Sequence, residues 1–219
     1  MERNRLDKKS RRVPSGAAVP RAELTEALYR AFFEEWADRG FAALSLERVA
    51  ARAGAGKAAI YRRFSSRLAF AEAAISSLGM KIALPVTEYS TLEEDVFALL
   101  LRTRAVLRHP LVRRILPDIH AEAARSADMR SINDRVSAAR RSQAEGILER
   151  AVRRGELPEG LNRDLALDLM IAPLYWRMIV RGVTPTRADL AMQSRAITAG
   201  LEALGSGSHG EFTANGGDE

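Results

Sequence analysis

Apolar residues recur along this chain at three- and four-residue steps, and no stretch of useful length alternates at two, so helices are expected throughout. Leu24, Leu28, Ala31, Phe32 and Trp36 make one stripe, predicting a helix over 21–39 that stops at Gly40. Ser45 caps a short helix that turns Leu46, Val49, Ala50 and Ala53 to the same core. Gly54 and Gly56 break it, and a third helix over 57–64 buries Ile60 and Phe64. A fourth starts near Arg67 with Leu68, Ala71, Ile75 and Leu78 inward. Thr91 with Glu94 reads as a capping box for a helix ending near His109 and Pro110. Asp128 opens a long helix closed by Gly155, Asn162 caps one ending at Gly182, and Thr186 with Asp189 caps the last, to about residue 204. The expected fold is all-α.

The two ends fall outside this pattern. Residues 1–20 carry six basic residues in the first twelve and then a Pro/Gly/Ala linker, which reads as a disordered basic arm. Residues 205–219 are rich in Gly and Ser and are expected to be a disordered tail.

Charge sharpens the picture. Among 219 residues the net charge is +6, yet residues 1–67 hold 15 Lys and Arg against 8 Asp and Glu, a net of +7, and the remainder holds 19 against 20. Excess positive charge confined to the first third suits a polyanion bound by one end of the molecule. There is no cysteine, which excludes disulfides and thiolate metal sites. The N-terminus lacks an apolar signal region, and the run 167–176 carries Asp168 and Pro173 and is too short to span a bilayer. A soluble cytoplasmic protein with no membrane contact is the expectation.

The stretch AGAGKAAIYRRF, residues 53–64, admits two readings. A phosphate-cradling P-loop would need glycine at 51 and a hydroxyl at 58, where the chain has Ala51 and Ala58, and it would follow a strand rather than a helix. A helix-turn-helix needs two short helices joined by a tight glycine-containing turn, and each element is present. Lys57, Ala58, Tyr61 and Arg62 then share the face opposite Ile60 and Phe64. Small Ala58 allows close approach to base edges, Arg62 can read guanine or hold a phosphate, and Lys57 and Tyr61 suit the DNA backbone.

Residues 27–75 resemble the TetR (tetracycline-repressor-like) family of bacterial regulators. Gly40-Phe41, Ser45, Ala53-Gly54, Lys57, Ile60, Tyr61 and Phe64 match its pattern in register. The family often has Ser or Thr where this chain has Gly56 and Ala59, and its usual Pro-Ser-Lys-Glu is replaced by Ser65-Ser66-Arg67-Leu68. The resemblance implies a helix-turn-helix domain over 21–67 and a helical effector-binding and dimerisation domain over 68–204. It implies double-stranded DNA contacts from Ser45, Gly56, Lys57, Ala58, Ala59, Tyr61, Arg62, Arg63 and Arg67, with Arg63 and Arg67 offsetting the missing hydroxyls. The basic arm reads as either an inert tail or a minor-groove contact.

Residues 153–182 look like one C-terminal subfamily of the same group. The helix over 163–182 is apolar on several sides, which a second chain would cover. Leu165, Leu169, Leu174 and Met178 there, with Leu190, Ile197 and Leu201 of the last helix, are the expected homodimer interface. Two recognition helices about 34 Å apart would read a palindromic operator. Pro173 implies a kink. Phe97, Leu101 and Arg104 on one face, with Tyr175 and Trp176, are candidates for holding a small effector, Arg104 facing an anionic one.

No catalytic, cofactor or metal site is expected. Asp118, His120 and Glu122 resemble a metal cluster in sequence, but the i, i+2 spacing sends them to different sides of a helix. Glu93, Glu94 and Asp95 sit where a helix dipole favours acids. The reading is a homodimeric repressor released by a small effector; the alternative is a DNA-binding repressor or architectural protein that senses nothing.

Overall fold

The computed structural model describes residues 21–82, 87 and 89–206, and these are helical with short connections. The first four helices are α1 (Arg21–Arg39), α2 (Leu46–Arg52), α3 (Lys57–Tyr61) and α4 (Arg67–Ile82). Leu28, Phe32, Trp36, Val49, Ile60 and Phe70 form their shared core. Phe32 stands edge-on to Phe70 with ring centres 4.8 Å apart. Gly40 takes φ 75 and its N–H donates to Trp36 O, which ends α1 where expected. Glu35 of α1 is buried and receives Arg48 Nε at 2.5 Å and Arg52 at 3.4 Å, so α2 is clamped to α1 by ion pairs as well as by apolar contact.

The remaining helices are α5 (Leu92–Leu107), α6 (Pro110–Ala123), α7 (Ala127–Arg153), α8 (Arg163–Tyr175) and α9 (Arg187–Ser206). α5 is the central rod, burying Leu92, Val96, Leu99 and Leu100 against α9, α7 and α8. Its first turn also buries Asp95, which accepts from Arg150 of α7 at 2.8 Å and from Arg154, the C-cap of that helix, at 3.1 Å. Arg154 continues to Glu156, whose carboxylate accepts the Leu92 N–H. The start of α5 and the end of α7 are thus tied by a compensated ion cluster, as burying charge requires.

α8 passes into a π turn at Trp176–Val180, where the Arg181 N–H reaches Trp176 O at 2.9 Å. Pro173, lacking an N–H, lies one turn before it.

Local expectations and structure differ at several points. α3 is five residues long, and Phe64 packs from beyond its end. Ser126, rather than Asp128, caps α7 through the Met129 N–H. Glu94 reaches back to the Ser90 N–H while Thr91 accepts the Glu94 N–H. Residues 205 and 206, expected in the tail, complete the last turn of α9. The basic arm and residues 207–219 lie outside the described residues.

The expected dimer interface needs correction. Leu174, Met178, Leu190, Ile197 and Leu201 are all at most 3% exposed within their own chain, where they line the α5, α8 and α9 core, so no partner can reach them. Leu169 is partly buried against Gly200. Leu165 alone of that set is open, at 50%. Trp176, Val180 and Met192 are exposed instead, and Leu165 and Trp176, eleven residues apart, fall in line on one helix face.

Candidate nucleic-acid interface

The α2–α3 turn is built by Gly54, which takes φ 65, a conformation that L side chains rarely adopt. The Gly54 and Ala55 N–H groups close onto Ala51 O and Ala50 O. Gly56 is different: at φ −75 and ψ 146, with open space around it, it needs no glycine. It stands as N-cap of α3 with no side chain to cap it, which leaves that helix start open.

Ile60 is fully buried and orients α3, while Lys57, Ala58, Tyr61 and Arg62 are exposed together and Ala59 is half-buried. Ser45, Lys57 and Tyr61 then converge on one group, the Glu47 carboxylate. Lys57 Nζ lies 2.6 Å from Oε1, the Tyr61 hydroxyl donates to the same oxygen at 3.3 Å, and Ser45 Oγ donates to Oε2 at 2.9 Å. The Lys57 hydrogen bond, followed by a backbone N–H and Ser45, lowers the Glu47 carboxyl to about 2, and the carboxylate in turn raises Lys57. Three donors chosen for phosphate contact therefore already surround an anionic oxygen pair.

The other basic residues divide. Arg62 is exposed and, among the described residues, makes no hydrogen bond or ion pair through its side chain. Arg63 turns back to α1, donating to Thr25 Oγ1 at 3.1 Å. Arg67 donates to Ala42 O and Leu44 O and stacks 4.5 Å over the Phe41 ring. Its guanidinium is spent on holding the α1–α2 loop, so its assignment as a DNA contact is corrected. Arg48 and Arg52 are likewise engaged by Glu35 and Asp38.

The five effector candidates are not brought together. Arg104 donates to Pro185 O at 3.0 Å and Phe97 carries Arg187 4.9 Å over its ring, so both fasten the approach to α9. Leu101 is partly buried beside them, Trp176 is exposed, and Tyr175 faces His120 of α6 with ring centres 5.6 Å apart.

A functional contact that periodicity misses is Asp118 of α6. Its Oδ2 accepts the Trp36 indole N–H at 2.6 Å and the Phe41 backbone N–H at 2.9 Å. Arg114 adds an ion pair to Asp38. α6 thus holds α1 and the α1–α2 loop on one side and carries His120 on the other, and the i, i+2 divergence of Asp118 and His120 is as expected. Among the described residues no group of His and acids is placed to hold a metal, and no helix is long and apolar enough to cross a membrane.

Comparison with known proteins agrees with this geometry. Residues 27–74 match the family of bacterial regulatory proteins, tetR family, and residues 86–197 match the tetracyclin repressor-like C-terminal domain. The chain is 28% identical over 172 residues to YdeS, an uncharacterised HTH-type transcriptional regulator of Bacillus subtilis (strain 168), covering 74% of this chain and 82% of that protein. Among solved structures it resembles a transcriptional regulator from Pseudomonas aeruginosa PAO1, with TM-score 0.71, 16% identity, and 85% and 93% of the two chains covered. It also resembles FadR of Bacillus subtilis, solved in complex with stearoyl-CoA, with TM-score 0.61, 18% identity, and 84% and 99% covered. At these identities the structural likeness is one of fold.

Proposed function

This chain belongs to the TetR family of DNA-binding transcriptional regulators, and from that premise we propose that it is a homodimeric repressor of a palindromic operator, released by a small-molecule effector. The observation that carries the reading is the outward face of α3, where Lys57 and Tyr61 meet Ser45, the N-cap of α2, around one anionic position while Arg62 is exposed beside them. Lys57, Tyr61 and Ser45 hold phosphates and fix register; Arg62 and the surface of Ala58 read bases.

Dimerisation uses the exposed face of α8 and the π turn, Leu165, Trp176 and Val180, with Met192 of α9. A second copy laid on this face completes a four-helix bundle and sets two α3 helices at half-site spacing. The stearoyl-CoA complex of a fold neighbour supports the existence of a small-molecule effector. α6 is the element that can transmit it, because it touches both the reading domain at Trp36 and the effector-side ring of Tyr175. An effector that favours one setting of α6 shifts the dimer away from operator spacing, and a coupling of about 1–3 kcal/mol suffices.

Selection of binding sites from random duplexes by the purified protein, at near-physiological salt, tests this. A palindrome with half-sites near one helical turn apart is expected. Sequence-blind, strongly salt-sensitive binding alone would sink the operator reading.

A further inference from the structure

We propose that the cavity between α6, α7 and α8 is a binding site for a small organic carboxylate, anchored by Arg140. The inference rests on the regulator reading and names the chemistry of its effector.

Two adjacent arginines of α7 have opposite situations. Arg141 is satisfied by Asp164 at 2.6 Å and Asp168 at 2.8 Å. Arg140 is half-buried and, among the described residues, has no carboxylate partner; its side chain donates to Ser137 Oγ at 3.2 Å. Leaving a cation out of water without a counter-ion is costly, and a site that retains one is completed by an anion from outside. Desolvation lowers the Arg140 guanidinium from its ordinary value, the direction expected of a cation lacking its partner.

The walls agree. Arg140, Ser137, Tyr175 and His120 line the cavity together with Arg141, a set rich in donors. Burial raises the Tyr175 phenol, which therefore stays protonated and able to donate. Burial, with Arg140 next to it, lowers His120, which stays neutral at neutral pH. The carboxylate in the wall, Asp168, is already taken by Arg141. Ile171 and Ala172 supply an apolar side, so the ligand is an anionic head on an apolar body.

Size narrows it further. The cavity is about 200 Å³, below the roughly 300–1,000 Å³ that drug-sized ligands occupy. A single-ring or short-chain acid fits this volume. The ligand would touch α6 at His120, two residues from the Asp118 contact to Trp36 and Phe41.

The experiment is thermal denaturation and calorimetric titration of the full chain with acetate, benzoate and phenylacetate, against benzamide as the uncharged counterpart of benzoate and inorganic phosphate as a bare anion. At least one carboxylate is expected to stabilise the protein, benzamide and phosphate not. Arg140→Met should weaken that carboxylate about 30-fold or more, and Arg140→Lys should keep part of the binding. Equal stabilisation by benzamide, binding indifferent to Arg140→Met in a chain with unchanged circular dichroism, or no response to any carboxylate would overturn the assignment. Operator affinity measured on the same preparation separates the failures: intact DNA binding with no carboxylate response removes only the cavity inference.

Discussion

The Lys57 ammonium and the Glu47 carboxylate lie 2.6 Å apart on the surface proposed to meet DNA, one from each helix of the helix-turn-helix. Glu47 occupies the second position of α2, where a helix dipole favours an acid, and from there it reaches across the turn to the start of α3. A phosphate must take Lys57 and Tyr61 away from this carboxylate before either can grip the backbone.

Glu47→Gln removes the competitor and is expected to tighten binding about two- to five-fold, the scale of an exposed ion pair. The gain should be the same on operator and random duplexes, with a steeper salt dependence, because the uncovered carboxylate no longer takes up a cation on binding. Fluorescence anisotropy across a salt series measures both. Unchanged affinity and slope would mean that Lys57 stays with Glu47 in the complex.

Arg62 and Arg67 should separate function from stability. Arg62→Ala is expected to cost about 1–3 kcal/mol of specific DNA binding with little change in melting temperature. Arg67→Ala should do the reverse, losing roughly 1–3 kcal/mol of stability with its two carbonyl contacts and the Phe41 stacking. If Arg67→Ala melts like the parent yet fails to bind DNA, its structural assignment is wrong.

The open face of α8 offers a third test. Leu165→Glu combined with Trp176→Glu should give a folded monomer by sedimentation velocity. Leu174→Ala, which hollows the core of the single chain, should instead lower stability by about 2–5 kcal/mol. A double variant that sediments as a dimer would move the interface elsewhere.

His120 makes stability depend on pH. Burial first, then the Arg140 charge, holds its imidazole below the ordinary 6.5, with the Tyr175 phenol facing it. Between 6.5 and the lowered folded value the unfolded chain binds the proton first, so stability falls as pH drops through that window. His120→Gln should flatten this part of the profile in denaturant titrations from pH 7 to 5. An identical slope in parent and variant would exclude the effect.

What could be read from the chain follows the range of each interaction. Caps are local, and so Asn162 accepting from Leu165, and Thr186 trading bonds with Asp189, were legible from a few neighbouring letters. The outward set of α3 was legible because Ile60 fixes one face and the helical repeat fixes the other. Arg67 and Asp118 were not, since their partners lie 23 to 82 residues away and spacing carries no trace of them. The dimer face failed for another reason. Periodicity counts apolar stripes but does not say which one the chain covers with its own α5, and it assigned the covered stripe to a partner.

The wide turn at Trp176–Val180 acts as a phase corrector for that helix. Buried Met170, Leu174 and Met178 fall at four-residue steps, and in a regular helix each such step overshoots a revolution by roughly 40°. Left alone, the stripe would wind away from α5. A turn that takes more residues per revolution winds it back, so Met178 returns to the core while Trp176 and Val180 stay outside. The apparent spread of apolar residues around this helix is in part a slipped clock, and deleting Arg177 would restore a regular helix only by swinging Met178 off the core and misdirecting the approach to α9.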